Sequence, residues 1–140
     1  MSGESNQIHW SFWLIGTIAL IWNGMGSVNF LVQLNPEMME AYRESERAII
    51  QDRPFWATAG FAFAVFGGAI GSLLLLLRKA FSCYFFIVSL IGVIITIGHA
   101  LSQSINFEMG EIIGIILMPL IVAGFLLWYS KLAQKKSWVD

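Results

Sequence analysis

Four long stretches of this chain contain no Asp, Glu, Lys or Arg: Trp10 to Leu34, Pro54 to Leu77, Ala80 to Leu101 and Ile112 to Ser130. Each approaches or exceeds the ~20 apolar residues that cross about 30 Å of hydrocarbon at 1.5 Å per residue. Barrel strands are much shorter, about 10 residues, and alternate in and out, which these stretches do not. A helix satisfies its own backbone hydrogen bonds inside lipid and is the remaining solution. The expected fold is therefore an all-α integral membrane protein with four transmembrane helices in an antiparallel bundle, forming one domain over residues 1–140. Composition agrees: 57% hydrophobic and 12% charged side chains leave too few charges to cover a soluble surface.

Several classes fall away early. A formal net charge of -1 gives nucleic acid nothing to bind, so no nucleic-acid partner is expected. The lone Cys83 excludes an internal disulfide, a CxxC redox pair and a thiolate metal cluster within one chain. The first hydrophobic stretch is too long for a signal-peptide core, has no basic flank and ends without a small-residue cleavage pattern, so it is expected to persist.

The charges outside the spans orient them. Arg78 and Lys79 form the turn between the second and third segments, and Lys131, Lys135 and Lys136 follow the fourth. Arg43, Arg47 and Arg53 share the opposite side with most of the acids, including Glu108 and Glu111. The excess of Lys and Arg in short loops marks the cytoplasmic side, which places both termini there. Trp10, Trp13, Tyr84, Trp128, Tyr129 and Trp138 then fall near the inner interface and Trp56 near the outer one, as membrane anchors.

The longest loop, residues 35–53, reads as a short interfacial helix. Asn35 can cap it, Pro36 suits its first position, and Glu37 and Glu40 suit its positive end. Met38, Tyr42, Ile49 and Ile50 can share a bilayer-facing side, with Glu40 and Arg43, and Glu44 and Arg47, paired at i, i+3.

In lipid, helices associate through close backbone approach and buried polar contacts. The second segment carries Gly60, Ala64, Gly68 and Ser72 at four-residue spacing, with Gly67 and Gly71 as a GxxxG pair beside them. This is a helix-packing face, and its partner is either a helix of the same chain or one from another subunit. Gly110 and Gly114 repeat the spacing in the fourth segment.

Polar residues within the spans are the candidate ligand site. Trp22 and Asn23 lie near the midpoint of the first segment, at the depth of Gly67, Gly68 and Gly92. An amide in hydrocarbon needs a partner, so Asn23 reads either as an interhelical hydrogen bond or as a ligand-binding group. Ser27, Asn29, Thr58, Thr96, His99 and Ser102 crowd toward the outer side and suggest a polar pocket opening there. His99 is its near-neutral titratable group, readable as a hydrogen-bonded residue or as a proton carrier. The candidate buried polar set is thus Trp22, Asn23, Asn29, Thr96 and His99.

Catalytic, metal and cofactor sites are not expected. His9 and His99 belong to opposite ends, Glu108 with Glu111 is too small a ligand set, and HExxH, GxSxG, phosphate-loop and GxGxxG patterns do not occur.

Trp22-Asn23-Gly24, the run Phe66-Gly67-Gly68-Ala69-Ile70-Gly71 leading through Leu73 to Leu77 into Arg78-Lys79-Ala80, and Phe86-Ile87-Val88-Ser89-Leu90 carry a resemblance. Together they resemble a group of small bacterial four-helix inner-membrane proteins, some of them labelled sugar transporters. The resemblance covers nearly the whole chain and implies an inner-membrane protein, without implying any catalytic residue. The chain departs from the small multidrug exporters, which depend on a glutamate in their first helix, and from the three-helix, Pro-Gln half-size sugar carriers.

Two functions are expected to compete. One is an accessory or structural subunit, docking through the glycine-rich second helix onto a larger membrane complex or onto itself as a homo-oligomer. The other is a transporter or channel component for a small solute, such as a sugar, with an outward-facing polar pocket.

Overall fold

The computed structural model describes residues 7–103 and 107–140. Part of the amino-terminal flank and the centre of the loop before the fourth segment lie outside the described residues. The described chain is helical throughout its ordered elements: α1 (Trp10–Gln33), a 3-10 turn (Pro36–Ala41), α2 (Glu44–Gln51), α3 (Phe55–Leu76), α4 (Ser82–Ser102) and α5 (Met109–Lys135). Four of these, α1, α3, α4 and α5, are long and apolar enough to cross a membrane. The spans match the charge-free stretches to within two residues at most ends. The exception is α5, which runs past the fourth stretch at both ends, because Glu111, Lys131 and Lys135 extend the helix instead of stopping it.

Two glycine-rich interfaces set the packing. A Cβ on Gly92 of α4 would stand 2.4 Å from the Gly60 carbonyl oxygen and 2.5 Å from the Ala64 nitrogen, so α3 and α4 touch backbone to backbone. Ser89 Oγ donates across the same seam to the Ala64 carbonyl at 2.6 Å. On the other side of α3, Gly68 receives Asn23 of α1. Gly67 lies against the Phe85 and Ser89 backbone of α4, and Gly71 against the Phe86 ring. Ser72 is fully buried and donates to the Gly68 carbonyl at 2.7 Å. The expected packing face on the second segment therefore exists, and it is occupied from within the chain. Of the two neighbours the sequence left open for this face, the described residues place helices of the same chain against Gly60, Gly67, Gly68 and Gly71.

Helix α1 packs along α3, α3 along α4, and α4 along α5. Helices α1 and α5 meet at one end, where Phe12, Tyr129 and Trp138 form an aromatic cluster with Leu75, Phe86 and Ala133 beneath it. The carboxy-terminal residues complete this end. Arg78 and Ser137 both adopt positive φ, 61° and 60°, and each ends its helix with the 6→1 bond of a Schellman cap: Lys79 N–H to the Leu74 carbonyl, and Trp138 N–H to the Ala133 carbonyl. Asp140 N–H then donates to the Arg78 carbonyl at 3.0 Å, and Arg78 Nε donates to the Trp138 carbonyl at 2.8 Å.

The aromatic expectations divide accordingly. Trp10, Trp13, Trp56, Tyr84 and Trp128 are exposed on the apolar exterior, where an anchor belongs. Tyr129 and Trp138 are not: Trp138 is 8% exposed and turned into the cluster by the cap that precedes it.

Candidate functional site

Away from the aromatic end, α1 and α5 separate, and a cavity of about 730 Å³ lies between them, open at its surface and floored by α3 and α4. Its deep walls are largely apolar: Ala64 and Val65 from α3, Val93 and Ile97 from α4, Val122, Ala123 and Leu126 from α5. Three polar groups enter this region, Asn23, Ser89 and Thr96. The rim is richer in polar and charged side chains, with Asn29, Gln33, Tyr42, Arg43, Glu46, Arg53 and Glu111.

A two-part roof closes over the rim. Asn35 caps the 3-10 turn as expected, its Oδ1 accepting from Glu37 N–H at 3.0 Å with Pro36 in the first position. The loop is not one helix, however. It breaks at Tyr42 and Arg43, whose backbones are extended, and restarts as α2. Glu40 and Arg43 consequently lie on different elements and lose the i, i+3 relation. Of the residues expected on the bilayer-facing side, Met38 is exposed, whereas Ile49 is buried against the protein together with Met39.

The break lets the roof bridge both walls. The Tyr42 hydroxyl donates to Asn29 Oδ1 on α1, and the Ser45 hydroxyl donates to Glu111 Oε2 on α5. Glu111 is buried and also accepts from the Glu108 N–H at 3.2 Å, so the two acids form the capping box that starts α5. Among the described residues no three His, Cys, Asp or Glu side chains converge to hold a metal ion.

Arg53 joins the roof to α1 and α3. One guanidinium nitrogen, Nη1, donates to Gln33 Oε1 at 3.0 Å and Nε donates to Thr58 Oγ1 at 3.2 Å, while the group lies 5.2 Å from the centre of the Phe61 ring. Its partners among the described residues are uncharged. Burial lowers its pKa below the ordinary guanidinium value.

Of the sequence-predicted site residues, Trp22, Asn23, Asn29 and Thr96 line this cavity. Asn23 is 7% exposed, and its Nδ2 donates to the Ala19 carbonyl at 2.9 Å within its own helix. The expected interhelical bond is replaced by an intrahelical one, while Oδ1 occupies the space that Gly68 leaves open. Thr96 similarly donates to Gly92 of its own helix at 2.8 Å. His99 does not belong to the cavity. It is 2% exposed, meets Trp56 edge to face at 5.6 Å and approaches Gln103 Nε2 at 3.3 Å. This corrects its grouping with the pocket: depth along the helix is shared, but rotation is not. Ser89, Val93 and Thr96 centre one arc of α4, and His99 lies about 100° away from it.

Other contributors were hidden in plain residues. Residues 113–117 of α5 form a π-turn, in which Met118 N–H reaches the Ile113 carbonyl. Gly114, Ile115 and Pro119 from this region line the cavity. Pro119 brings no N–H to the preceding turn and its ring crowds the carbonyl four residues earlier, which accounts for the wide turn. A proline inside a charge-free helix was the available signal. Arg53, Gln33 and Ser45 carried none, because their roles depend on where the loop folds back.

No family model, no curated protein and no solved structure matches the chain. The site must be interpreted on its own geometry.

Proposed function

We propose that this chain is a small multi-pass membrane protein that binds a small molecule in the cavity between α1 and α5, as a carrier or channel component. The observation that supports this reading most is the cavity itself. Its volume, about 730 Å³, falls within the roughly 300–1,000 Å³ of small-molecule sites, and its few polar groups converge on mainly apolar walls. In the same proposal the protein belongs to the bacterial inner membrane with both termini in the cytoplasm, following the five Lys and Arg residues at the Arg78 end. The cavity then lies in the outer half of the span, beneath α2 as an interfacial roof. The sugar label implied by resemblance fits less well, since a sugar needs more hydrogen-bonding groups than Asn23, Ser89 and Thr96 supply in the deep part of the site. An accessory-subunit role would have to use the exposed apolar sides of α1 or α5, because the glycine face of α3 is already filled.

The test is binding and flux by the pure protein. A panel of radiolabelled neutral solutes and amphiphiles is offered to proteoliposomes containing either the natural chain or Gly114→Phe. Gly114 lines the cavity and a Cβ there would meet nothing within 4 Å, so a larger side chain can be placed at the cavity wall without an immediate clash at its root. At least one compound should be bound or moved by the natural chain and lost in the variant. Equal behaviour of both proteins across the panel would refute the reading.

A further inference from the structure

Resting on the reading of this cavity as a ligand site, we infer that its ligand is a membrane amphiphile with an anionic head group, which enters through the gap between α1 and α5 and places its head against Arg53. The argument begins with the gap. Helices α1 and α5 are joined at the aromatic end and separated beyond it, so an apolar molecule dissolved among lipid chains reaches the cavity sideways without crossing water. The deep walls, such as Val93, Val122 and Leu126, offer such a molecule the surroundings it already has in lipid.

The head group is selected at the rim. Arg53 is half-buried and fixed in position by two uncharged oxygens, those of Gln33 and Thr58. A guanidinium carries five N–H donors, and these bonds use two, so its charge and a donor edge remain for a further acceptor. A half-buried cation held only by neutral groups favours an anion beside it, and a carboxylate or phosphate matches its planar fork. The other charges at the rim are partly engaged: Glu111 accepts from Ser45 and Glu108, and Glu46 accepts from the Arg43 N–H at 3.4 Å. The Phe61 ring under Arg53 keeps the guanidinium over the apolar wall, where head and tail of one molecule would be contacted together.

Native mass spectrometry of the full chain, released from uncharged detergent, tests this with four probes. Palmitate and phosphatidylglycerol carry an anionic head, and monoolein and phosphatidylcholine carry no net charge. The natural chain should retain the anionic probes in preference, and the better of the two tells a single-chain from a two-chain ligand. Arg53→Gln should weaken anionic retention about tenfold or more, the worth of a charged hydrogen bond, while leaving monoolein unchanged. Arg53→Lys should restore only part of it. The preference of the natural chain needs no variant, so a folding defect in Arg53→Gln does not protect the idea. If charged and uncharged probes are retained equally and Gly114→Phe expels both, the anion inference fails while the cavity reading survives. If no probe is retained and Gly114→Phe changes nothing, both fail.

Discussion

Asn23 and Gly68 fit each other so closely that a methyl group on residue 68 would stand 2.0 Å from Asn23 Oδ1. The amide of α1 is thus accommodated by the missing side chain of α3. Gly68→Ala should destabilise the protein by about 1–3 kcal/mol, the usual cost of overpacking. Shortening the partner should relieve that cost, so the double variant Asn23→Ala, Gly68→Ala should be more stable than Gly68→Ala alone. Thermal unfolding in detergent across the four proteins measures the coupling; simple additivity would show that the two residues do not meet.

Gly92 and Gly98 lie on one helix and make opposite predictions. A Cβ at Gly92 meets the α3 backbone, whereas at Gly98 it meets nothing within 4 Å. Backbone cannot swing aside as a side chain can. Gly92→Ala should therefore sharply lower the unfolding temperature, and Gly98→Ala should leave it unchanged or raise it slightly through better helix propensity. Equal effects would argue against the close α3–α4 seam.

The Ser45 to Glu111 bond ties the roof to α5, while Tyr42 to Asn29 and Arg53 to Gln33 tie it to α1. Ser45→Ala should let α2 open more often. Hydrogen exchange over residues 44–51 should quicken by about tenfold or more, while exchange in the middle of α3 stays constant. Unchanged exchange over α2 would mean that the roof is held by its buried Met39 and Ile49 instead.

Trp138 should behave as a core residue and not as an anchor. Trp138→Ala should cost about 3–5 kcal/mol, the range for deleting a buried aromatic ring. In single-tryptophan variants, brominated lipids should quench Trp10 strongly and Trp138 weakly, since Trp10 is exposed and Trp138 is not. Strong quenching of Trp138 would return it to the lipid interface.

What the sequence reveals here depends on the kind of force involved. Spans are legible because excluding charge from hydrocarbon acts on every residue in a stretch, and the small residues of α3 are legible because close approach demands a repeating pattern. Depth is equally readable, and it sets Asn23 level with Gly67, Gly68 and Gly92, the second of which receives it. Rotation is harder, and His99 shows the result: it shares the depth of the cavity residues yet faces Trp56. Trp138 departs from its expected interfacial place for a different reason. Its burial follows from the left-handed backbone at Ser137, a position usually advertised by glycine and here occupied by serine. The roof contacts of Tyr42, Ser45 and Arg53 depend on a loop returning over distant helices, and no local pattern encodes that.

The π-turn in α5 has a consequence for the cavity beyond its local shape. An uninterrupted α-helix rotates about 100° per residue, so the arc bearing Gly110, Glu111, Gly114 and Ile115 would point roughly 100° away from the arc bearing Pro119, Val122, Ala123 and Leu126. The wide turn absorbs one extra residue and sets the helix back by about that angle. It works as a phase shifter, bringing two faces that would diverge onto the same wall. The extra residue within 113–117 is therefore matched to the wide turn: deleting one residue there would let the segment close to ordinary α-helix with both faces still aligned, whereas straightening it at full length would swing Glu111 about a quarter-turn away from Ser45.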